Sequence, residues 1–373
     1  MKKKLAIVGA SFGQRSLYLK AKELGIETHC FAWDEGAVCK DLADYFYPIS
    51  VLDKEQILTE CKKIQIDGIT SVASDICVPT VCFVAEKMGL IGNRYEDSLI
   101  MCNKFSARKI YQKNGVSSPR FALARENIDL TDFRYPIIVK PIDRGSTIGV
   151  IKVEKEEDLK NAILRAQEDS FCKEAIIEEF INGFEVSVDA ITYNGKHHIL
   201  AIKERELAKG VNCDVKIAGH CPTDLPSDIQ DKIKNETKKA LDAINFNYGA
   251  SNTEFRITKD GEAFILEVNP RMPGSYSDIL MELYNGYDYL KGVIEIALRK
   301  FENPVFKEYK YCGVYFLTKQ TQWVREVIEN RDKDPDIVLA EMSDSEISEL
   351  HFIGDRIGFF IYQSNQKRRW PQP

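Results

Sequence analysis

The chain has 373 residues, of which 51 are Lys or Arg and 57 are Asp or Glu, for a net charge of −6 with His neutral. That length suits two or three domains, and the charge balance offers no global basic field for nonspecific nucleic-acid binding. At 44% hydrophobic and 29% charged residues the composition is that of a folded globular chain, which excludes a disordered, collagen-like or low-complexity protein. The ten Cys form no CxxC pair and no Cys/His spacing of a zinc site, so reduced thiols and a cytoplasmic setting are expected. The apolar run Leu5–Ala10 behind Met1-Lys2-Lys3-Lys4 is six residues long. A secretory core needs about 7–15 apolar residues and a membrane span needs ~20. The run therefore reads as a first buried strand, and no membrane partner is expected.

In chain order, the first hundred residues alternate strand and helix. Leu5–Val8 reads as a strand, Gln14–Leu24 as a helix ended by Gly25, and Thr28–Trp33 as a second strand. The helix Lys54–Lys63, the strand Gly68–Ala73 and the helix Pro79–Met88, closed by Gly89, continue the rhythm. This repeat predicts a parallel sheet with helices on its faces and ligands at the carboxyl ends of its strands. A helix over Leu99–Lys113 leads through Ser117-Ser118-Pro119 to strands at Ile137–Lys140 and Gly149–Val153, a helix Glu156–Ala166 and a strand Ala175–Glu179. Longer strands at Glu185–Thr192 and His198–Lys203 look antiparallel. Helix Ser227–Ala243 precedes a hairpin over Thr253–Val268, and one further helix is expected around Ile279–Lys300. Beyond it, short strands at Gly313–Leu317 and Ile357–Gln363 flank a polar helical piece. No internal repeat or low-complexity linker interrupts the chain.

The hairpin carries the most chemistry. Asp260-Gly261 suits a two-residue loop, because both loop positions need positive φ. That loop pairs Lys259 with Glu262 and sets Glu254 directly opposite Glu267. Alternation then puts Phe255, Ile257, Phe264, Leu266 and Val268 on one apolar face and Glu254, Arg256, Glu267, Asn269 and Arg271 on the other. Opposed carboxylates repel. Either Arg256 screens them on a solvated face, or a divalent cation sits between them. Oxygen donors without His or Cys suit Mg²⁺ or Mn²⁺ shared with substrate phosphates. The run Asn269-Pro270-Arg271-Met272-Pro273-Gly274-Ser275 then places a planar donor and a Gly-Ser turn where an anion would need them.

Glu254, Glu267 and Asn269 followed by Pro270-Arg271 resemble the metal-binding end of the ATP-grasp enzymes. That superfamily includes biotin carboxylase, D-alanine:D-alanine ligase, the bacterial L-amino-acid ligases and the ATP-dependent phosphoribosylaminoimidazole carboxylase subunit. The resemblance runs from about residue 5 to 300 and more weakly beyond. It implies ATP and two Mg²⁺ (or Mn²⁺) as cofactors, with Glu254, Glu267 and Asn269 as metal ligands. Arg271 would then stabilise the acyl-phosphate or the substrate carboxylate, beside Gly274 and Ser275.

Further positions follow from the same resemblance. Lys104 and Arg108 lie at i and i+4 on one helix face, either as a solvated basic stripe or, for Lys104, as a contact to ATP phosphate. Lys140 ends a buried strand ahead of Gly145, Ser146 and Thr147, small residues whose backbone suits phosphate. They lack the GK[ST] spacing of a Walker A loop, and in the family this is the lid over the triphosphate, with Lys140 a second phosphate ligand. Ile176–Val186 resembles the nucleoside hinge: Phe180 and Ile181 for adenine, Glu178 for its exocyclic amine, Glu185 for the ribose. Glu254 and Leu266 would close the nucleotide site. Lys203 would reach the γ-phosphate or the transferred phosphoryl. Gly219-His220-Cys221-Pro222 looks like a shortened Gly-His-x-x-Pro stretch, and His220 reads as structural.

The implied fold is α/β and α+β. It comprises a parallel-sheet pre-grasp domain (1–98), a linker helix and mobile lid (99–182), an antiparallel catalytic subdomain (183–302) and a small β-rich cap (303–373). The implied activity is ATP-dependent ligation of a small carboxylate to an amine through an acyl-phosphate, with Arg271, Lys203 and Lys140 as catalytic residues. Ser11, Ser74 and Asp75 at the strand ends of the first lobe would meet substrate. Neither nucleic acid nor membrane is an expected partner, and a homodimer is allowed. Three other readings remain. One is a stand-alone carboxylase of the same fold, and another is a non-catalytic ATP-binding regulator. The third is a nicotinamide enzyme using Gly9-Ala10-Ser11-Phe12-Gly13, with Asp34, 21 residues after Gly13, as the ribose acid.

Overall fold

A computed structural model of the protein describes residues 2–125 and 130–370. Its first unit holds β1 (Lys4–Val8), α1 (Arg15–Glu23), β2 (Glu27–Phe31), β3 (Tyr45–Tyr47), α2 (Lys54–Ile64), β4 (Gly68–Thr70) and α3 (Val78–Met88). The four strands are parallel in the order β3-β2-β1-β4. The fully buried Leu5, Ala6, Ile7 and Val8 explain why β1 reads as a continuous apolar run: helices cover both of its faces.

The linker helix expected over 99–113 is two helices, α4 (Tyr95–Met101) and α5 (Lys104–Lys113). Asn103 breaks them apart. Its backbone is extended and its side chain accepts from the Ser106 amide at 2.9 Å, capping α5. Lys104 thereby opens a helix instead of lying within one. The segment expected as a lid holds β5 (Phe121–Leu123), β6 (Ile137–Pro141), β7 (Ile151–Val153), α6 (Leu159–Asp169) and β8 (Ala175–Glu179), with strand order β5-β8-β6-β7, antiparallel throughout.

The largest sheet has eight strands in the order β13-β12-β9-β10-β11-β14-β16-β15. It contains β9 (Phe184–Tyr193), β10 (Lys196–Lys209), β11 (Asp214–Cys221), β12 (Tyr248–Ile257), β13 (Ala263–Asn269), β14 (Tyr311–Leu317), β15 (Ile337–Met342) and β16 (Gly358–Ser364). Helices α7 (Ser227–Ala243), α8 (Ser277–Asn285), α9 (Tyr289–Ala297) and α10 (Trp323–Glu329) complete the chain. The single helix expected at 279–300 is split at Gly286, which takes the left-handed conformation that ends α8. Strands β11 and β15 had no clear periodicity in sequence. The segment expected as a cap continues the eight-stranded sheet, because β14 pairs with β11.

The hairpin register differs from the sequence expectation near its turn. Thr258, not Lys259, meets Glu262, with Thr258 N donating to the Glu262 carbonyl at 2.9 Å, and the loop is Lys259-Asp260-Gly261. Pairing near the turn is therefore Phe255 with Ile265 and Arg256 with Phe264. A bulge at Leu266 then restores the expected alignment, so Glu254 does face Glu267. The bulge also corrects the faces: Ala263 and Ile265 join Phe255 and Ile257 in the core, while Phe264 and Leu266 turn away from it.

One hydrophobic core is shared by the first sheet and the large one. Leu5, Ile7 and Leu17 of the first unit pack with Leu290 and Ile294 of α9 and with Ile191 and Val314 of the large sheet. The fit is close: a Cβ on Gly68 would stand 2.5 Å from the Ala297 carbonyl oxygen. This packing holds the carboxyl ends of the parallel strands over the hairpin.

Candidate active site

Lys104 and Arg108 leave the same face of α5 toward the hairpin. Lys104 Nζ lies 2.8 Å from Glu267 Oε1 and donates to the Arg144 carbonyl at 2.5 Å. Arg108, 2% exposed, bridges two elements: its Nε lies 2.8 Å from Glu178 Oε1, and its Nη2 donates to the Leu266 carbonyl at 2.6 Å. The solvated-stripe reading of this helix face therefore fails. Glu178 Oε2 takes Lys140 Nζ at 2.7 Å, so both oxygens of this buried carboxylate are engaged by cations. Burial pushes Glu178 up, yet Arg108 and Lys140 outweigh it and hold the carboxyl below its usual range. Burial draws Lys140 down, against the pull of Glu178.

Glu254 and Glu267 face one another across the hairpin, each already matched to a cation. Arg205 contacts Glu254 and lies 3.5 Å from Glu185, and Lys104 holds Glu267. Burial opposes the charge of Glu267, but Lys104, Lys140 and Arg271 together keep its pKa depressed. Asn269 is 4% exposed, its amide donating to the Asn252 carbonyl at 3.4 Å. Among the described residues no cluster of three or more His, Cys, Asp or Glu side chains could hold a metal. Two carboxylates and an amide are a partial shell of hard donors, of the kind Mg²⁺ completes with phosphate oxygens and water.

Arg271 crosses to the first unit, where its Nη2 lies 2.8 Å from Asp75 Oδ2. Its Nε is buried without a partner, as is Asp75 Oδ1. A buried guanidinium with a free donor fits an anion such as phosphate or carboxylate. Gly145 approaches the same spot, since a Cβ there would come 2.9 Å from Asp75 Oδ2, and Ser146 and Thr147 take left-handed φ of 60° and 66°. A cavity of about 360 Å³ opens here, lined among others by Leu52, Asp75, Tyr95, Lys104, Glu267 and Asn269.

The hinge residues gather beside this set. Ile181 is buried, Phe180 has Lys152 Nζ 4.4 Å and the Arg256 guanidinium 5.5 Å from its ring centre, and Glu185 is 2.5 Å from Arg256 Nη2. Lys203, 4% exposed, reaches Asp189 at 2.5 Å and donates to Ser277 Oγ at 2.8 Å. Gly274 packs near Ala73, and Ser275 accepts from Arg356 at 3.2 Å. Ser74 Oγ accepts from the Cys77 thiol at 3.3 Å.

Ser11 is the least engaged with this group. Its hydroxyl donates to Gln14 Oε1 at 2.6 Å, and Gln14 Nε2 donates to the Val72 carbonyl at 2.9 Å. Gln14 thus fills the space over Gly9 that a dinucleotide pyrophosphate would need, and a Cβ on Gly9 would stand 3.0 Å from Gln14 Nε2. Asp34 is paired with Lys40. His220 is buried between Glu206, at 2.9 Å, and Tyr362.

Sequence reasoning missed Asp189, Arg205, Lys216 and Arg356. The first three had a signal in strand alternation: Lys203 and Arg205 sit two apart on one face of β10, opposite the neighbouring β9 and β11. Arg356 had none, since it arrives from a distant part of the chain.

Residues 133–278 match the family of ATP-grasp domains. The chain is 28% identical over 203 residues to the D-alanine–D-alanine ligase of Geobacter sulfurreducens, covering 52% of this chain and 63% of that one. A D-alanine–D-alanine ligase of Rickettsia bellii is 25% identical over 308 residues, covering 76% and 91% respectively. Among solved structures, the phosphoribosylglycinamide synthetase of Anaerococcus prevotii superposes with a TM-score of 0.75 at 25% identity, covering 98% of this chain and 95% of that one. The L-amino acid ligase of Bacillus licheniformis gives 0.79 at 20% identity, with 98% and 93% covered. Residues 133–278 therefore carry an ATP-grasp domain, and the chain as a whole shares the fold of these solved structures. Its matches to the Geobacter and Staphylococcus saprophyticus D-alanine–D-alanine ligases span only 63% and 64% of those proteins. Among the described residues no helix is long and apolar enough to cross a membrane.

Proposed function

We propose that the protein is an ATP- and Mg²⁺-dependent ligase that activates a small carboxylate as an acyl-phosphate and joins it to an amine, releasing ADP and phosphate. The observation that carries the reading is the opposed pair Glu254 and Glu267, framed by Lys104, Arg205 and Arg271 within an ATP-grasp fold. Glu254, Glu267 and Asn269 would hold Mg²⁺, which when bound neutralises the triphosphate and the charge developing on the transferred phosphoryl.

The chain's own residues bind and orient around it. Arg108 fixes Glu178, and Glu178 fixes Lys140, so that a lysine at the end of a buried strand is aimed at phosphate without rotamer freedom. Phe180, Ile181, Leu266 and Glu185 would form the nucleoside site. Lys104 and the backbone of Gly145, Ser146 and Thr147 would cover the phosphates and exclude water. Arg271, steadied by Asp75, offers its free Nε to the carboxylate and then to the acyl-phosphate oxygens. Lys203 would steady the transferred phosphoryl. No side chain needs to form a covalent bond, and the amine displaces phosphate directly.

The test is release of ADP and phosphate across a panel of amino acids, supplied singly and in pairs with ATP and Mg²⁺. Turnover should need a carboxylate and an amine together, and Glu267→Gln should lower it at least about a hundredfold, the scale of a lost electrostatic contact to the transition state. ADP release without any acid, or full activity in Glu267→Gln, would sink the reading.

A further inference from the structure

The proposed chemistry uses none of the ten cysteines, all of which are free thiols. Three lie in strands: Cys30 in β2, Cys221 in β11 and Cys312 in β14. Cys30 meets Ile7 and Phe46 across its ladders, whereas Cys221 and Cys312 stand directly opposite one another. Opposed residues of an antiparallel ladder have Cα atoms about 4.5–5.5 Å apart. That separation lies inside the range of about 4.4–6.8 Å that a disulfide spans.

The two thiols already touch. They are in hydrogen-bond contact, and Cys312 Sγ also donates to the Leu280 carbonyl of α8 at 3.3 Å. Both belong to the core shared by the first unit and the large sheet, Cys221 at 2% exposed and Cys312 at 0%. Burial, and then the adjacent Cys312, push the Cys221 thiol well above its ordinary range. A buried, protonated thiol is inert, so reaction requires the pair to open.

The place of the pair in the sheet supplies that opening. Strands β14, β16 and β15 join the other five through the β11–β14 ladder. That ladder has four residue pairs, from Ala218 with Tyr315 to Cys221 with Cys312, and the cysteines are the last of them. Pro222 follows at once and lacks the amide hydrogen that a further pair would use. The end of a ladder opens at a lower free energy than the sheet as a whole. Exposure of these sulfurs therefore needs only local fraying.

We propose that Cys221 and Cys312 are a redox-active pair that closes into a cross-strand disulfide and latches the C-terminal strands to the large sheet. The oxidant is hydrogen peroxide. One sulfur, as thiolate, attacks a peroxide oxygen and breaks the O–O bond, giving a sulfenic acid and one water. The second sulfur then attacks the first and displaces its hydroxyl group, forming the S–S bond and a second water. The two sulfurs together lose two electrons, the peroxide gains them, and the thiol hydrogens leave in the waters. The link encloses residues 222–311, so it restricts the unfolded chain and stabilises the folded one. This latch is independent of the ligase reading.

The experiment treats the reduced full chain with hydrogen peroxide, caps the remaining thiols with N-ethylmaleimide in denaturant, and maps the products by peptide mass spectrometry. Peroxide is raised until Cys172, which is exposed, no longer takes maleimide. The expected product is a peptide pair joined through Cys221 and Cys312, lighter by two hydrogen atoms than the separate thiol peptides and parted again by dithiothreitol. The oxidised chain should melt at least about 3 °C above the reduced one. Cys312→Ala should lose that gain, and Cys172→Ala should keep it. Maleimide on both Cys221 and Cys312 once Cys172 is oxidised overturns the proposal, and the peptide map needs no variant to show it. Cys312 joined to any other cysteine overturns it too, as does a linked pair whose midpoint is unchanged.

Discussion

Glu178 shows how the site depends on single charges. It is 2% exposed and holds Arg108 and Lys140 at 2.8 and 2.7 Å, so one carboxylate bridges two cations from different elements. Glu178→Gln keeps the shape and removes the charge. Leaving buried cations unmatched costs about 3–5 kcal/mol in comparable pairs, and chemical denaturation should read a loss of about 3 kcal/mol. Because Lys140 loses its orientation, KM for ATP should also rise. Unchanged stability would mean that water, not Glu178, satisfies Arg108. The residue types at this site were legible in sequence; their partners were not, because Glu178 and Arg108 are 70 positions apart.

At the scale of elements, the hairpin and its neighbour β9 set the geometry. Gly183 precedes β9, and a Cβ there would sit 2.1 Å from the Ile257 carbonyl oxygen, which is backbone and cannot rotate away. Gly183→Ala should therefore push the hinge off the hairpin and cost about 2 kcal/mol or more, as overpacked sites do. Thermal denaturation checks this, and an unchanged midpoint in Gly183→Ala would contradict it. The opposition of Glu254 and Glu267 was read from an Asp-Gly turn that is one residue longer than expected, and the bulge at Leu266 compensates for it. A loop and a bulge each displace the register by one residue, and residue alternation alone cannot reveal two offsets that cancel.

For the whole molecule, carboxylates held by distant segments tie stability to acid pH. Hydrogen bonds from Arg368 hold Asp334 below the usual carboxylate range, fastening the C-terminal residues to the loop before β15. The Thr28 amide holds Asp44 down in the same way, joining β2 to the turn ahead of β3. Both carboxyls have folded pKa values below their unfolded values near about 4, so the unfolded chain binds more protons in that window. Their contribution is complete above about pH 4 and is lost as pH falls through the lower folded values. The thermal midpoint should drop on acidification below that point, and Asp334→Asn should flatten the drop. A midpoint that stays constant from pH 5 to about 3 would contradict this. The core shared by the first unit and the large sheet makes the response a single cooperative loss, because Leu290 and Ile294 pack against both sheets.

The sequence alone determined the parallel first lobe, the charged hairpin and the residue types of the proposed nucleotide end, because local periodicity and residue type are properties of short segments. The opposition of Glu254 and Glu267, expected from a two-residue turn, holds only because the longer loop and the bulge at Leu266 cancel, which the tertiary structure alone shows. Only the tertiary structure decided which cation answers which acid. Arg205 on Glu254 and Arg271 on Asp75 are set by strand order in an eight-stranded sheet and by the docking of the first unit. Charge complementarity acts over a few ångströms of space and carries no imprint at a fixed spacing along the chain.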